Sequence, residues 1–164
     1  MNIKFKLFFN TNLHQHHNIL RVVIGWYFLY EGLAKFFSPN WTSYGYLMDS
    51  KGIFAPIFKE IAMNPILIQI ADNVNMYGLI IIGTCLILGL FTKIVSFGAL
   101  ALLSLFYISH PPLLDVQYIL RPEGSYLWVH KNTIAFFAII VLILFPTSQK
   151  IGLDRYMNKL FKRS

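Results

Sequence analysis

The sequence predicts an all-α integral membrane protein: a four-helix bundle with a short amphipathic interfacial helix between the first and second spans. Three observations carry this. Of 164 residues, 56% are hydrophobic and only 13% charged, about half the charged share of a soluble domain. Four apolar runs approach the length that crosses a bilayer as a helix. None of them alternates with the period of two that a half-buried strand needs. Disorder is excluded, and the length suits one domain over residues 1–164.

The elements follow in chain order. The amino-terminal stretch is not a cleavable signal, because Leu7, Phe8 and Phe9 are too short an apolar core and the polar run Asn10 to Asn18 follows. Its His14, His16 and His17 read as a solvated tail. The first span is expected at 19–37, interrupted by Arg21, Glu31 and Lys35. The connection 38–73 contains Ile53, Phe54, Ile57, Phe58 and Ile61 at helical spacing, with Lys59 and Glu60 opposite and Pro56 placed for a first turn. This is the amphipathic helix, lying on the membrane surface or capping the bundle. Trp41, Tyr44 and Tyr46 are expected as interfacial aromatics. The second span is expected at 74–91, with its helix starting near Pro65. A turn at Thr92-Lys93 leads back into the third span, 94–109, which Pro111-Pro112 ends. The fourth span, 126–145, stops at Pro146, and a basic tail occupies 147–164.

Charge sets the orientation. One side collects nine basic residues and one acid (Lys4, Lys6, Arg21, Lys93, Lys150, Arg155, Lys159, Lys162, Arg163 and Asp154), net +8. The other collects five basic residues and six acids, net −1, within a total of +7. The positive side is cytoplasmic, so a bacterial inner-membrane protein would keep both termini inside. The same distribution argues against nucleic acid as a partner, since no reading helix is basic. The single Cys85 excludes an intramolecular disulfide or a CxxC pair. The histidines show no ligand spacing, so no metal site is expected.

Polar groups inside hydrocarbon are costly and point to function. Glu31 and Lys35 share a helix face at i, i+4. They either face a cavity that binds a quinone or relays a proton, or simply hold the end of the first helix; the first reading is preferred. Arg21 is an interfacial anchor or a site for an anionic headgroup. Arg21, Gly25, Phe28 and Gly32 form a stripe whose glycines admit a close neighbouring helix. Asp72, Asn73, Asn75, His110, Arg121, Glu123, Tyr126, His130, Lys131 and Asn132 gather on the outer side, as a polar pocket or a solvated rim.

The run Arg21-Val-Val-Ile-Gly-Trp-Tyr-Phe-Leu-Tyr-Glu-Gly-Leu-Ala-Lys35 resembles the first helix of DoxX-family membrane proteins. Gly89-Leu-Phe-Thr-Lys93 is similar to that family's marker between its second and third helices. Trp41-Thr-Ser43, Ser50-Lys-Gly-Ile-Phe54, His110-Pro-Pro112, Glu123-Gly-Ser-Tyr126, Lys131-Asn132, Pro146-Thr-Ser148 and Ile151-Gly-Leu-Asp-Arg155 extend the resemblance toward a Bacteroidetes-type branch. It covers roughly 18–156. It implies a four-helix membrane bundle serving as the membrane subunit of a redox system, quinone-linked in the manner of thiosulfate:quinone oxidoreductase. Glu31 and Lys35 would be catalytic. Arg21, Trp26, His110, Arg121, Tyr126 and Asn132 would form the substrate or quinone pocket. No flavin, haem or iron–sulfur motif is present, so no covalently bound cofactor is expected and electrons would need a redox partner subunit or a bound quinone; quinone is the cofactor the resemblance implies. The lipid bilayer and a homo-oligomer are further expected partners. Where the resemblance leads one to expect an acid in the fourth helix, this chain has Ala135. The alternative function is a non-catalytic membrane scaffold or small-molecule carrier.

Overall fold

The computed structural model describes residues 3–111, 118–119, 129–145 and 152–154, with side chains from residue 15 onward. The regular elements in these segments are helices: α1 Ile3–Phe36, α2 Tyr44–Met48, α3 Ala55–Met63, α4 Pro65–Leu88, α5 Thr92–Ser109 and α6 Lys131–Leu144. Two of them, α4 and α5, are long and apolar enough to cross a membrane. The apolar α6 has 14 described residues, and Arg21, Glu31 and Lys35 interrupt α1.

Local chemistry sets the boundaries. Asn64 caps α4, its side-chain oxygen accepting from Ile66 N at 2.9 Å and Leu67 N at 3.2 Å, and Pro65 occupies the first turn. At the far end Gly89 takes a left-handed φ of 67°, which glycine adopts without steric cost, and Leu90 N donates to Cys85 O at 2.9 Å. Phe91 follows at φ 48°, a conformation costly for a bulky side chain. Asp154 holds it there. Its carboxylate accepts from Phe91 N at 2.7 Å, from Thr92 N at 3.3 Å and from the Thr92 hydroxyl at 2.9 Å.

The tightest joint lies between α1 and α4. A Cβ at Gly25 would stand 3.0 Å from Gly83 O and from Ile87 N, one at Gly32 would stand 2.9 Å from Ile80 N, and one at Gly83 would strike the Leu29 backbone. The glycine stripe of α1 is therefore a seam, as the spacing suggests, and small residues let the two backbones meet. Around it, Ile24, Phe28, Leu79, Ile82, Leu86, Ala99, Leu103, Ala135, Ile139 and Leu142 form one core shared by α1, α4, α5 and α6. Large apolar side chains also face outward on these helices, among them Ile66, Ile81, Ile94, Phe97, Ile134 and Phe137. Apolar outward faces on apolar helices are consistent with contact with a lipid bilayer.

Several boundaries differ from the sequence reading. The first helix starts at Ile3 rather than 19, because the polar run continues the helical repeat beyond the apolar part. His17 is only partly exposed, and its ring stacks on Phe145 at 5.2 Å between centroids. The α4–α5 turn is formed by Gly89 to Phe91, and Thr92 and Lys93 already belong to α5. The fourth helix begins at Lys131, where His130 caps it by accepting from Thr133 N at 3.3 Å. Tyr126 and most of the tail 147–164 lie outside the described residues. Of that tail, Leu153 N donates to Leu88 O at 3.2 Å and Asp154 N to Gly89 O at 3.0 Å, so this piece docks on the bundle.

Candidate functional site

A cavity of about 510 Å³ opens where α1 ends and α6 begins. Its walls come from Tyr27, Phe28, Glu31 and Lys35 of α1, Trp41 to Ser43 just ahead of α2, Gly45 and Tyr46 of α2, Asn75 and Leu79 of α4, Leu103 and Phe106 of α5, and Lys131 and Asn132 of α6. On α1 the contributors fall at 27, 28, 31 and 35, one face at helical spacing. The glycine seam next to it fixes that face toward the bundle interior.

Glu31 stands between two cations. Its Oε1 accepts from Lys131 Nζ at 2.9 Å, and its Oε2 lies 3.6 Å from Lys35 Nζ. Lys35 Nζ also sits 5.6 Å above the Trp41 ring centroid, a distance at which the ring face attracts a cation. The Tyr27 hydroxyl donates to Asn132 Oδ1 at 3.0 Å. Asn75 Oδ1 is buried and accepts no hydrogen bond, leaving an acceptor in the wall that a ligand donor can satisfy. Asp72 accepts from Ser43 N at 2.7 Å and from the Ser43 hydroxyl, which pins the Trp41–Ser43 wall to α4.

Behind the cavity lies an aromatic stack. Tyr46 and His110 are nearly parallel with centroids 3.9 Å apart, and the Tyr118 ring lies tilted at 4.8 Å from the histidine centroid. The Tyr46 hydroxyl donates to Phe106 O at 3.2 Å, and Lys51 N donates to Ser109 O at 3.2 Å. His110 Nδ1 pairs with the Ser109 hydroxyl at 3.1 Å, while Nε2 is 4.0 Å from Asp49 Oδ2. Burial drives the His110 pKa down to about 4, with Asp49 pulling the other way. Near pH 7 the imidazole is therefore neutral. Burial likewise holds the Tyr46 hydroxyl protonated, well above its ordinary range.

Of the residues the sequence nominates, Glu31, Lys35 and Asn132 meet in this cavity. His110 stands one ring behind it. Arg21 and Trp26 are corrections. Arg21 is 4% exposed and packs at the opposite end of the bundle, where its guanidinium lies against Gly89 and faces the charge of Asp154. Trp26 is 58% exposed, because the flanking positions Gly25 and Tyr27 take the seam and the cavity and leave it pointing out. Trp41 and Tyr46 line the cavity instead of serving only as interfacial aromatics. Arg121 and Tyr126 lie outside the described residues. The sequence reading missed Tyr27 although it shares a face with Glu31 and Lys35. It placed Lys131 and Asn75 only in the general outer cluster, since pairing across 100 positions leaves no local trace.

Fold and site together define a helical bundle with apolar outward faces and a charged, aromatic-walled cavity at one end. The DoxX family model matches residues 17–110, which include the glycine seam and all of the cavity except its α6 wall. The chain belongs to the DoxX family. No curated protein and no solved structure matches it.

Proposed function

We infer that this DoxX-family chain is the membrane subunit of a quinone-linked redox system, with the Glu31 cavity as its quinone site. The observation that carries this is Glu31 held between Lys35 and Lys131 inside walls of Tyr27, Phe28, Trp41, Tyr46 and Phe106. Aromatic faces suit a flat carbonyl-bearing ring. Reducing a quinone to the quinol takes two electrons and two protons. Negative charge develops on the carbonyl oxygens, where two ammonium groups stabilise it. Those ammonium groups can pass protons to the oxygens, and Glu31 is placed to receive or return them. The electrons come from a redox partner subunit, as in the thiosulfate:quinone oxidoreductase arrangement that the family resemblance implies.

The topology proposed with it has four spans in a bacterial inner membrane and both termini cytoplasmic, from the +8 against −1 division of charge. The cavity then opens on the outer side. α3 lies in the interface above it, a placement supported by the exposure of Ile53, Phe54, Ile57 and Met63 along that segment.

Quinone reduction by the purified complex tests the mechanism. Glu31→Gln should slow it by on the order of a hundredfold, the scale of one general acid–base group. Equal rates would remove Glu31 from the chemistry, and quinone binding without any reduction would favour a carrier.

A further inference from the structure

A second concavity, of about 370 Å³, runs between α5 and α6. It is mostly apolar, with Ser104 and Phe136 in its walls and with Ile108 and Phe137, both exposed, at its rim. Leu103 and Asn132 line this groove and the Glu31 cavity alike. The two spaces are therefore neighbours, separated by one leucine and one carboxamide. The groove occupies the last two turns of α5 and the first two of α6, directly beside the polar site and on the outward apolar face.

We propose that this groove is the tail subsite and sideways entrance of the Glu31 cavity: it receives the first part of the aliphatic chain of a lipid-soluble quinone while the ring sits among Lys35, Glu31 and Lys131. The proposal rests on the quinone reading of the cavity. It adds the class of ligand, a long-chain quinone taken from the lipid phase rather than a soluble one taken from water. The occupant follows from adjacency. An apolar groove that shares a wall of Leu103 and Asn132 with a charged cavity matches a molecule with a polar ring and an apolar chain, whose passage turns those two side chains aside. The Tyr27–Asn132 hydrogen bond then stands at the junction of ring and chain.

The test compares two probes on the purified full-length chain in detergent, read by quenching of tryptophan fluorescence. One is a dimethoxy-methyl benzoquinone without a tail; the other is the same ring bearing a ten-carbon chain. The wild type should bind the chain-bearing probe more tightly. Ser104→Phe fills the groove and should weaken that probe about tenfold, the worth of one to two buried methylenes, while changing the tail-less probe less than about twofold. Phe137→Ala removes only an exposed rim ring, so it keeps the fold; it should weaken the chain-bearing probe alone, by about threefold. Helix content by circular dichroism checks both variants. If neither variant affects the chain-bearing probe, or both probes weaken equally, the tail subsite is overturned. The same holds if the wild type binds the two probes equally, which leaves the cavity reading standing. If neither probe binds the wild type, the quinone reading itself falls and this proposal with it.

Discussion

Glu31 is held by Lys35 from its own helix and by Lys131 from α6. Removing its charge leaves two ammonium groups facing one another. Glu31→Gln should therefore lower the thermal stability of the detergent-solubilised protein as well as its activity. The loss should be about 1 kcal/mol, since the pair is part-exposed, and Lys131→Met should recover most of it in the double variant. His110 makes a different prediction. Its folded pKa, about 4, lies below its ordinary 6.5. Between these values the unfolded chain binds the proton that the folded one refuses, so stability is complete above pH 6.5 and falls as the pH drops toward 4. Asp49, Tyr46, Tyr118 and Ser109 are the groups facing the ring. Melting temperatures across this range should show the decline in the wild type and a flatter profile in His110→Phe. At this scale the Glu31–Lys35 pair was legible, because both partners lie on one helix turn. Lys131 was not, and Arg21, expected as an interfacial anchor or as part of the pocket, seats on the left-handed end of another helix.

Among the elements, the α1–α4 seam and the α4–α5 turn are the most demanding. Gly83→Leu would drive a side chain into the Leu29 backbone and should cost about 3 kcal/mol or more. Gly98→Ala, whose Cβ meets nothing within 4 Å, should leave the melting temperature unchanged. Asp154→Ala removes the acceptor for two backbone donors and a hydroxyl at the start of α5. A loss of about 1–2 kcal/mol in thermal unfolding is expected, larger than usual for a cap because Phe91 keeps its positive φ without support. Helix existence was readable from apolar run length and from Pro56, Pro65 and Pro111-Pro112. Where helices begin was less so: the 34-residue α1 outruns its apolar stretch, and the cap of α5 comes from a distant segment that no local pattern announces.

For the molecule as a whole, the Glu31 cavity opens at one end, the Arg21–Asp154 cluster lies at the other, and large apolar side chains face outward between them. That arrangement predicts a topology that can be checked in cells. In a Cys85→Ser background, Lys51→Cys should react with a membrane-impermeant maleimide from outside, and Lys93→Cys should react only after permeabilisation. The reverse pattern would invert the orientation and turn the cavity toward the cytoplasm.

The α5 cap lies 62 positions beyond the threonine it holds. The ribosome therefore polymerises all of α4 and α5 before the carboxylate that secures their turn. Forming the hairpin and locking its turn are separable steps. A product halted ahead of Asp154 should enter the bilayer normally yet present protease with a loosened turn.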